Sequence, residues 1–344
     1  MPPASYLRIA TEEAFLTPEI TNRYRTMLRD GSCNDRAFQS LLGFYLTSNE
    51  PRVKAVFEKM EDLGAARIAD MDATGIDRQV LSLGAPGVQV FDAETAVSLA
   101  RDSNDYVADA IRRHPDRFSG LAAVAPQDPA KAAVELERGV RTLGLKGAII
   151  NSHTQGEFLD DPKFWPIFEA AEALDVPIYL HPTGPPNAMI EPFLARGLDG
   201  AIYGFAVETG LHLLRIILAG VFDRFPKLTM IAGHLGEGLP YWLFRIDFMH
   251  ARMVAGRRYE SVKKLERKPS EYIRQNMYVT SSGMAWEPPI RYAQEVLGVD
   301  RVLYAMDYPW QFVASEVTDM DRMAIGDDEK KMFYQASAEK VFRL

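Results

Sequence analysis

The chain has 344 residues, 47% of them hydrophobic and 25% charged, enough apolar content for one large core or two smaller ones in an ordinary globular protein. Its 39 basic and 47 acidic residues leave a net charge of −8, which gives no support for a nucleic-acid or anionic-membrane partner. Cys33 is the only cysteine, so an intrachain disulfide is excluded and a reducing cytoplasm fits. Met1-Pro2-Pro3-Ala4-Ser5 has no basic region leading into an apolar core, so no signal peptide is expected; no apolar run approaches the roughly 20 residues that cross a bilayer.

Eight short apolar, often β-branched runs read as strands: 7–14, 79–85, 118–125, 145–151, 177–182, 227–233, 277–282 and 302–307. Near-continuous apolar character suits strands buried on both faces of a parallel sheet. Helical periodicity fills the gaps over 94–113, 129–143, 163–174 and 207–222. Strand–helix alternation of this kind predicts a (β/α)8 TIM barrel in a single domain spanning 1–344. The surplus over a minimal barrel lies in 184–206 and in a long rim loop around 16–51, and long connections at a catalytic rim usually cover a site. An open doubly wound sheet is the alternative, but no glycine-rich phosphate loop follows any strand.

Ionisable side chains sit where these runs end. Glu12 closes the first, His181 the fifth, His234 the sixth and Asp307 the eighth. In a parallel barrel all such ends meet at one rim, and two imidazoles with two carboxylates are side chains that bind divalent metals. Each position also has a plainer reading. His181, stopped by Pro182-Thr183-Gly184, is either a ligand or a hydrogen-bonded loop residue. Asp307 is either a site carboxylate or the cap of a following helix. Glu12 and Glu13 are neighbours on a strand and so point to opposite sides; one can face the barrel axis while the other meets a basic residue outside. His234 and Glu237, three apart, let a carboxylate fix one imidazole tautomer. His153, a rim residue, can touch substrate or only organise its loop, the second being favoured; His212 is expected to pack, His114 to sit at a helix end and His250 to lie in a polar helix end. Arg52 and Arg245 can grip a carboxylate or serve as surface partners.

Four segments, Thr11-Glu12-Glu13-Ala14-Phe15, Tyr179-Leu180-His181-Pro182, Gly233-His234-Leu235-Gly236-Glu237 and Met306-Asp307-Tyr308-Pro309, resemble the non-oxidative aromatic acid decarboxylases of the amidohydrolase superfamily. Ile68-Ala69-Asp70-Met71-Asp72, Asn151-Ser152-His153-Thr154-Gln155-Gly156 and Ser282-Gly283-Met284-Ala285-Trp286-Glu287-Pro288 are most similar to the 5-carboxyvanillate decarboxylases within that group. The resemblance implies a distorted amidohydrolase-type barrel and one divalent metal on Glu12, His181 and Asp307, with His234 close by. It implies substrate contacts from Arg52, Arg245, Tyr45 and the residue at Trp310. It further implies a cytoplasmic homodimer or homotetramer in aromatic-compound catabolism of the kind that degrades lignin, with no organic cofactor. The chain departs from the pattern at three places. Ala14 stands where many relatives have a further histidine ligand, Trp310 where a tyrosine is usual and Gly84 where a threonine is usual. Two carboxylates and one imidazole form an oxygen-rich set that tilts the metal toward Mn2+, with Zn2+ and Mg2+ as alternatives.

The chemistry implied is loss of carbon dioxide from an ortho-hydroxybenzoate, such as 5-carboxyvanillate, γ-resorcylate or 2,3-dihydroxybenzoate. Protonating the carboxyl-bearing ring carbon first avoids an aryl carbanion. Asp307 is the candidate proton donor and His234, oriented by Glu237, the relay. The same residues would also serve a metal-dependent lactone or amide hydrolase, or a metal-stabilised binding protein without turnover.

Overall fold

The computed structural model describes residues 6–344; Met1–Ser5, read above as lacking a signal, lie outside the described residues. All eight predicted strands are present, each close to its expected place. They are β1 (Ile9–Phe15), β2 (Arg78–Leu83), β3 (Phe118–Gly120), β4 (Ala122–Ala123), β5 (Ala148–Ile150), β6 (Ile178–Leu180), β7 (Met230–Ala232), β8 (Met277–Thr280) and β9 (Val302–Leu303). The count is nine because the predicted run 118–125 is broken at Leu121. There the chain changes neighbours: Leu121 N–H donates to Leu81 O at 2.9 Å, and Ala122 N–H donates to Gly147 O at 2.7 Å. The result is a three-stranded sheet β1-β2-β3 and a six-stranded sheet β4 to β9, parallel throughout.

The ring is completed between β1 and the segment after β9. Thr11 N–H donates to Tyr304 O at 3.1 Å and Ala14 N–H to Tyr308 O at 2.7 Å. The fold is therefore an α/β barrel of the (β/α)8 kind, distorted by the split sheet and by a register shift in β1 between Ala10 and Glu13. Nearly every strand residue is buried, which is why the strands read as unbroken apolar runs.

Helices pack around the strands and start where their capping residues dictate. Asp92 accepts Thr95 N–H before Ala93–Arg113, and Asp128 accepts Lys131 N–H before Pro129–Arg141. The predicted helix 207–222 is shifted: one helix runs Gly204–Leu218, and a single turn Val221–Arg224 follows. The connection over 16–51 is largely helical. Thr17 caps Pro18–Asp30, Asp35 caps Arg36–Thr47, and Pro51 opens Pro51–Glu61. Among the described residues, no helix is long and apolar enough to cross a membrane.

A buried carboxylate–imidazole cluster at the barrel rim

Glu12, His181, His234 and Asp307 do converge at the carboxyl ends of the strands. Glu12 is 3% exposed, and its two oxygens have contrasting surroundings. Oε2 accepts hydrogen bonds from the Tyr179 hydroxyl and from Thr280 Oγ1, the latter at 2.8 Å. Oε1 has no hydrogen-bond partner. It faces His181 Nε2 at 3.3 Å and His234 Nε2 at 4.0 Å. The backbone makes room for this carboxylate at Gly233, where a Cβ would lie 2.8 Å from Oε2.

His181 Nδ1 lies 2.8 Å from Pro182 O. A carbonyl only accepts, so Nδ1 carries the proton, and Nε2 turns a lone pair toward Glu12. Burial, the largest influence, and the neighbouring His234 depress the His181 pKa, which keeps the ring neutral despite Glu12. An unpartnered carboxylate oxygen and an imidazole lone pair 3.3 Å apart are electrostatically unfavourable by themselves. They suit two ligands of one divalent cation, for which metal–ligand distances are about 2.0–2.2 Å. The donor chemistry thus fits a metal. Asp307 lines the same cavity, but among the described residues no three His, Cys, Asp or Glu side chains already stand at ligating spacing.

His234 Nδ1 is paired with Glu237 Oε1 at 2.7 Å, the contact their spacing suggested. The turn that achieves it is unusual. His234, Leu235 and Glu237 have φ of 49°, 55° and 54°, and Gly236 and Gly238 have 78° and 77°. A left-handed turn is sterically costly for residues with side chains. Burial lowers the His234 pKa, but Glu237 and Glu12 outweigh it and push the value up to about 10. Burial lifts the Glu237 carboxyl above its usual range, against the pull of His234.

Asp307 also has positive φ, 64°, and a turn follows it, so the helix-cap reading does not hold. Burial and the nearby Glu12 push its pKa up to about 8, against His234. Glu13 is fully buried and accepts Met306 N–H at 2.9 Å and Tyr308 N–H at 3.3 Å. The basic residue that acts on it is Arg67, itself buried, on the helix Ala65–Thr74.

These groups open onto a cavity of about 200 Å³. Its floor is His181, His234 and Asp307; Tyr45, Trp310 and Phe205 are among its walls. Trp310 packs edge-on against Tyr45, with ring centroids 5.0 Å apart, and against Phe57 at 6.2 Å. Asp35 also lines it, and among the described residues no lysine or arginine does. Arg52 is exposed at the start of Pro51–Glu61. Arg245 is exposed too, and lines a separate surface groove with Trp242 and Glu237. One chain alone therefore does not bring either arginine into the cavity. Gly84 lies under the wall, where a Cβ would be 3.5 Å from Ala14 Cβ, so two of the three departures from the family pattern touch each other.

The other histidines hold loops together. His153 accepts Gly156 N–H at Nδ1 and donates from Nε2 to Gly184 O, and His250 Nε2 lies 3.0 Å from Lys263 O. His212 is more than packing: Nε2 accepts Leu159 N–H, and Nδ1 meets Ser152, which also donates to Glu208. His114 caps its helix as expected. Tyr179 and Thr280 were missed. Tyr179 lies two residues before His181, hence on the same strand face, and that spacing was the available signal.

Residues 52–344 match the amidohydrolase family, and the chain belongs to it. The barrel is accordingly of the amidohydrolase type. Among solved structures, 5-carboxyvanillate decarboxylase from Novosphingobium aromaticivorans, with bound manganese and 3-methoxy-4-hydroxy-5-nitrobenzoic acid, is 53% identical. That match covers 99% of this chain and 98% of the other, with a TM-score of 0.97. The 5-carboxyvanillate decarboxylase from Sphingomonas paucimobilis is 40% identical, with coverage of 99% and 100% and a TM-score of 0.93. A gamma-resorcylate decarboxylase from Polaromonas sp. (strain JS666) is 33% identical over 345 residues, 98% of each chain.

Proposed function

We propose that this chain is a metal-dependent carboxy-lyase that removes carbon dioxide without oxidation from an ortho-hydroxy aromatic acid, with 5-carboxyvanillate as substrate and vanillate as product. We read it as a single-domain cytoplasmic enzyme of aromatic-compound catabolism, lignin breakdown included. The observation that carries the reading is the unpartnered Glu12 Oε1 facing the His181 lone pair on the floor of an aromatic-walled cavity. Its likeness to enzymes named for 5-carboxyvanillate, one solved with manganese, supports the choice of substrate and of Mn2+.

Glu12, His181 and Asp307 would hold the cation. When bound, it supplies positive charge that draws the substrate's adjacent carboxylate and phenolic oxygens to the floor of the cavity. His234, kept protonated by Glu237, donates toward the phenolic oxygen. Asp307 delivers a proton to the ring carbon that bears the leaving carboxylate. With a cation alongside, Asp307 is ionised, so that proton reaches it from the bound phenol. The bond to the carboxyl carbon then breaks, its electron pair restores the aromatic ring, and carbon dioxide leaves. The walls keep water from the protonated ring.

A homodimer or homotetramer is part of this reading. Tyr241, Phe244 and Phe248 stand 73%, 82% and 49% exposed on Leu239–Gly256, an aromatic face suited to a second copy. A specific observation favours a second substrate class, the γ-resorcylate type: beyond the two histidines of the floor, no lysine or arginine of the described residues lines the cavity. Manganese-loaded protein incubated with 5-carboxyvanillate, γ-resorcylate, 2,3-dihydroxybenzoate and salicylate in deuterium oxide separates these outcomes. Labelled carbon dioxide and deuterium at the vacated ring position are expected. Ring opening or amide cleavage without carbon dioxide, or tight binding with no turnover, would overturn the reading.

A further inference from the structure

The neighbouring glutamates of β1 are both buried, yet the chemistry proposed above uses only Glu12. Glu13 lies behind the site and grips the backbone on both sides of Asp307. Oε1 accepts Met306 N–H at 2.9 Å; Oε2 accepts Tyr308 N–H at 3.3 Å and lies 3.4 Å from Gln79 Nε2. The residue between those amides is in the left-handed region, φ 64°, which a residue with a side chain occupies only when its surroundings hold it there.

The clamp is itself held. Arg67, wholly buried, donates to Gln79 Oε1 at 3.2 Å and to Ala14 O at 2.6 Å, and its guanidinium lies 4.6 Å from the centre of the Tyr308 ring. Ala14 N–H donates to Tyr308 O, so strand β1 and residues 306–308 are joined on either side of Glu13. A carboxylate is the side chain that suits this place, because both of its oxygens accept. An amide would turn one N–H toward a backbone N–H.

We propose that Glu13 is the positioning residue for Asp307: by holding the amides of Met306 and Tyr308 it fixes the backbone turn that aims the Asp307 carboxylate into the cavity. This rests on the assignment of Asp307 to the metal and proton chemistry. Glu13 touches neither substrate nor cation.

The test is Glu13→Gln in the full-length protein, with MnCl2 titrated calorimetrically into metal-free protein, kcat and KM measured after loading, and thermal unfolding followed in parallel. Glu13→Gln should fold, bind Mn2+ about 10–100-fold more weakly and lose kcat to a similar degree, while KM changes little. Glu13→Asp keeps the carboxyl group but is one methylene shorter; it should reach one amide and fall between. A lowered melting temperature with Mn2+ affinity and kcat unchanged would show a role in stability only and overturn the proposal. So would failure of both variants to fold. Asp307→Asn, measured beside them, separates the two levels. Parent-like Mn2+ binding and turnover in Asp307→Asn would sink the site assignment. An impaired Asp307→Asn with an unimpaired Glu13→Gln would sink only the clamp.

Discussion

Tyr179→Phe removes one atom from a fully buried ring and leaves the packing in place. That atom is one of two donors to Glu12 Oε2; Thr280 Oγ1, at 2.8 Å, is the other. Hydrogen bonds to charged groups contribute about 1.5–3 kcal/mol. With Thr280 still donating, the lower figure applies, so Glu12 should present Oε1 to a cation about 1.5 kcal/mol less favourably. That corresponds to roughly tenfold weaker Mn2+ binding. Thr280→Val should cost a similar amount. The double variant leaves a buried carboxylate with neither donor, so its loss should exceed the sum of the two, the signature of a shared partner. Calorimetric titration with MnCl2, alongside elemental analysis, reads each value. Parent-like affinity in the double variant would refute the idea that these hydroxyls orient a metal ligand.

Gly233→Ala should bring a Cβ to 2.8 Å from Glu12 Oε2 and displace that carboxylate, so metal content should fall while far-UV circular dichroism is retained. Glu208 has its pKa pushed up to about 8, chiefly by burial, from an ordinary 4.5. Between those values the folded chain keeps a proton that the unfolded chain has lost, so stability falls as pH rises through the window, by at most about 1.4 kcal/mol per pH unit. Glu208→Gln should flatten that fall in urea titrations at pH 5, 6.5 and 8; an unchanged slope would rule the group out. Phe244→Lys places a charge on the most exposed large apolar side chain, 82% exposed, and should shift an oligomer toward monomer in sedimentation velocity.

The strands and four site residues were legible because barrel strands are buried on both faces and end at one rim. Apolar runs stopped by Pro182 or by Gly233 therefore marked strand ends directly. The helices over 16–51 carried local signals, Thr17-Pro18 and Asp35, that the count of surplus residues passed over. Glu13 was not legible in the same way. Alternation sets it on the face away from Glu12 but does not say what it grips there. Its partners are 293 and 295 residues away, a pairing no local pattern encodes. The left-handed turn at His234–Gly238 is similar: Gly236 and Gly238 hinted at it, but positive φ at His234, Leu235 and Glu237 needs tertiary packing to persist.

The cavity bears on substrate choice through what it lacks. On the proposed function, one anionic group of a hydroxybenzoate would sit on the floor, beside Glu12, His181 and His234. A second carboxylate, as in 5-carboxyvanillate, would meet aromatic side chains and Asp35, an acid, with no lysine or arginine among the described lining residues. Arg52 is the arginine on an element that builds the wall, since Phe57 of the same helix supports Trp310. Being exposed, Arg52 loses little when unpaired, unlike a buried guanidinium. Whatever preference it gives for a dicarboxylated phenol must therefore come from attraction to that substrate, not from relief of a stranded charge. An exposed pair contributes up to about 1 kcal/mol, so Arg52 by itself accounts for roughly fivefold in kcat/KM. The indole at Trp310 would act on shape instead: packed edge-on against Tyr45 and Phe57, it would limit the space open to a substrate ring. On the proposed function, ring substituents would be selected mainly by fit against Trp310 and Tyr45, with attraction to Arg52 a weaker, secondary filter.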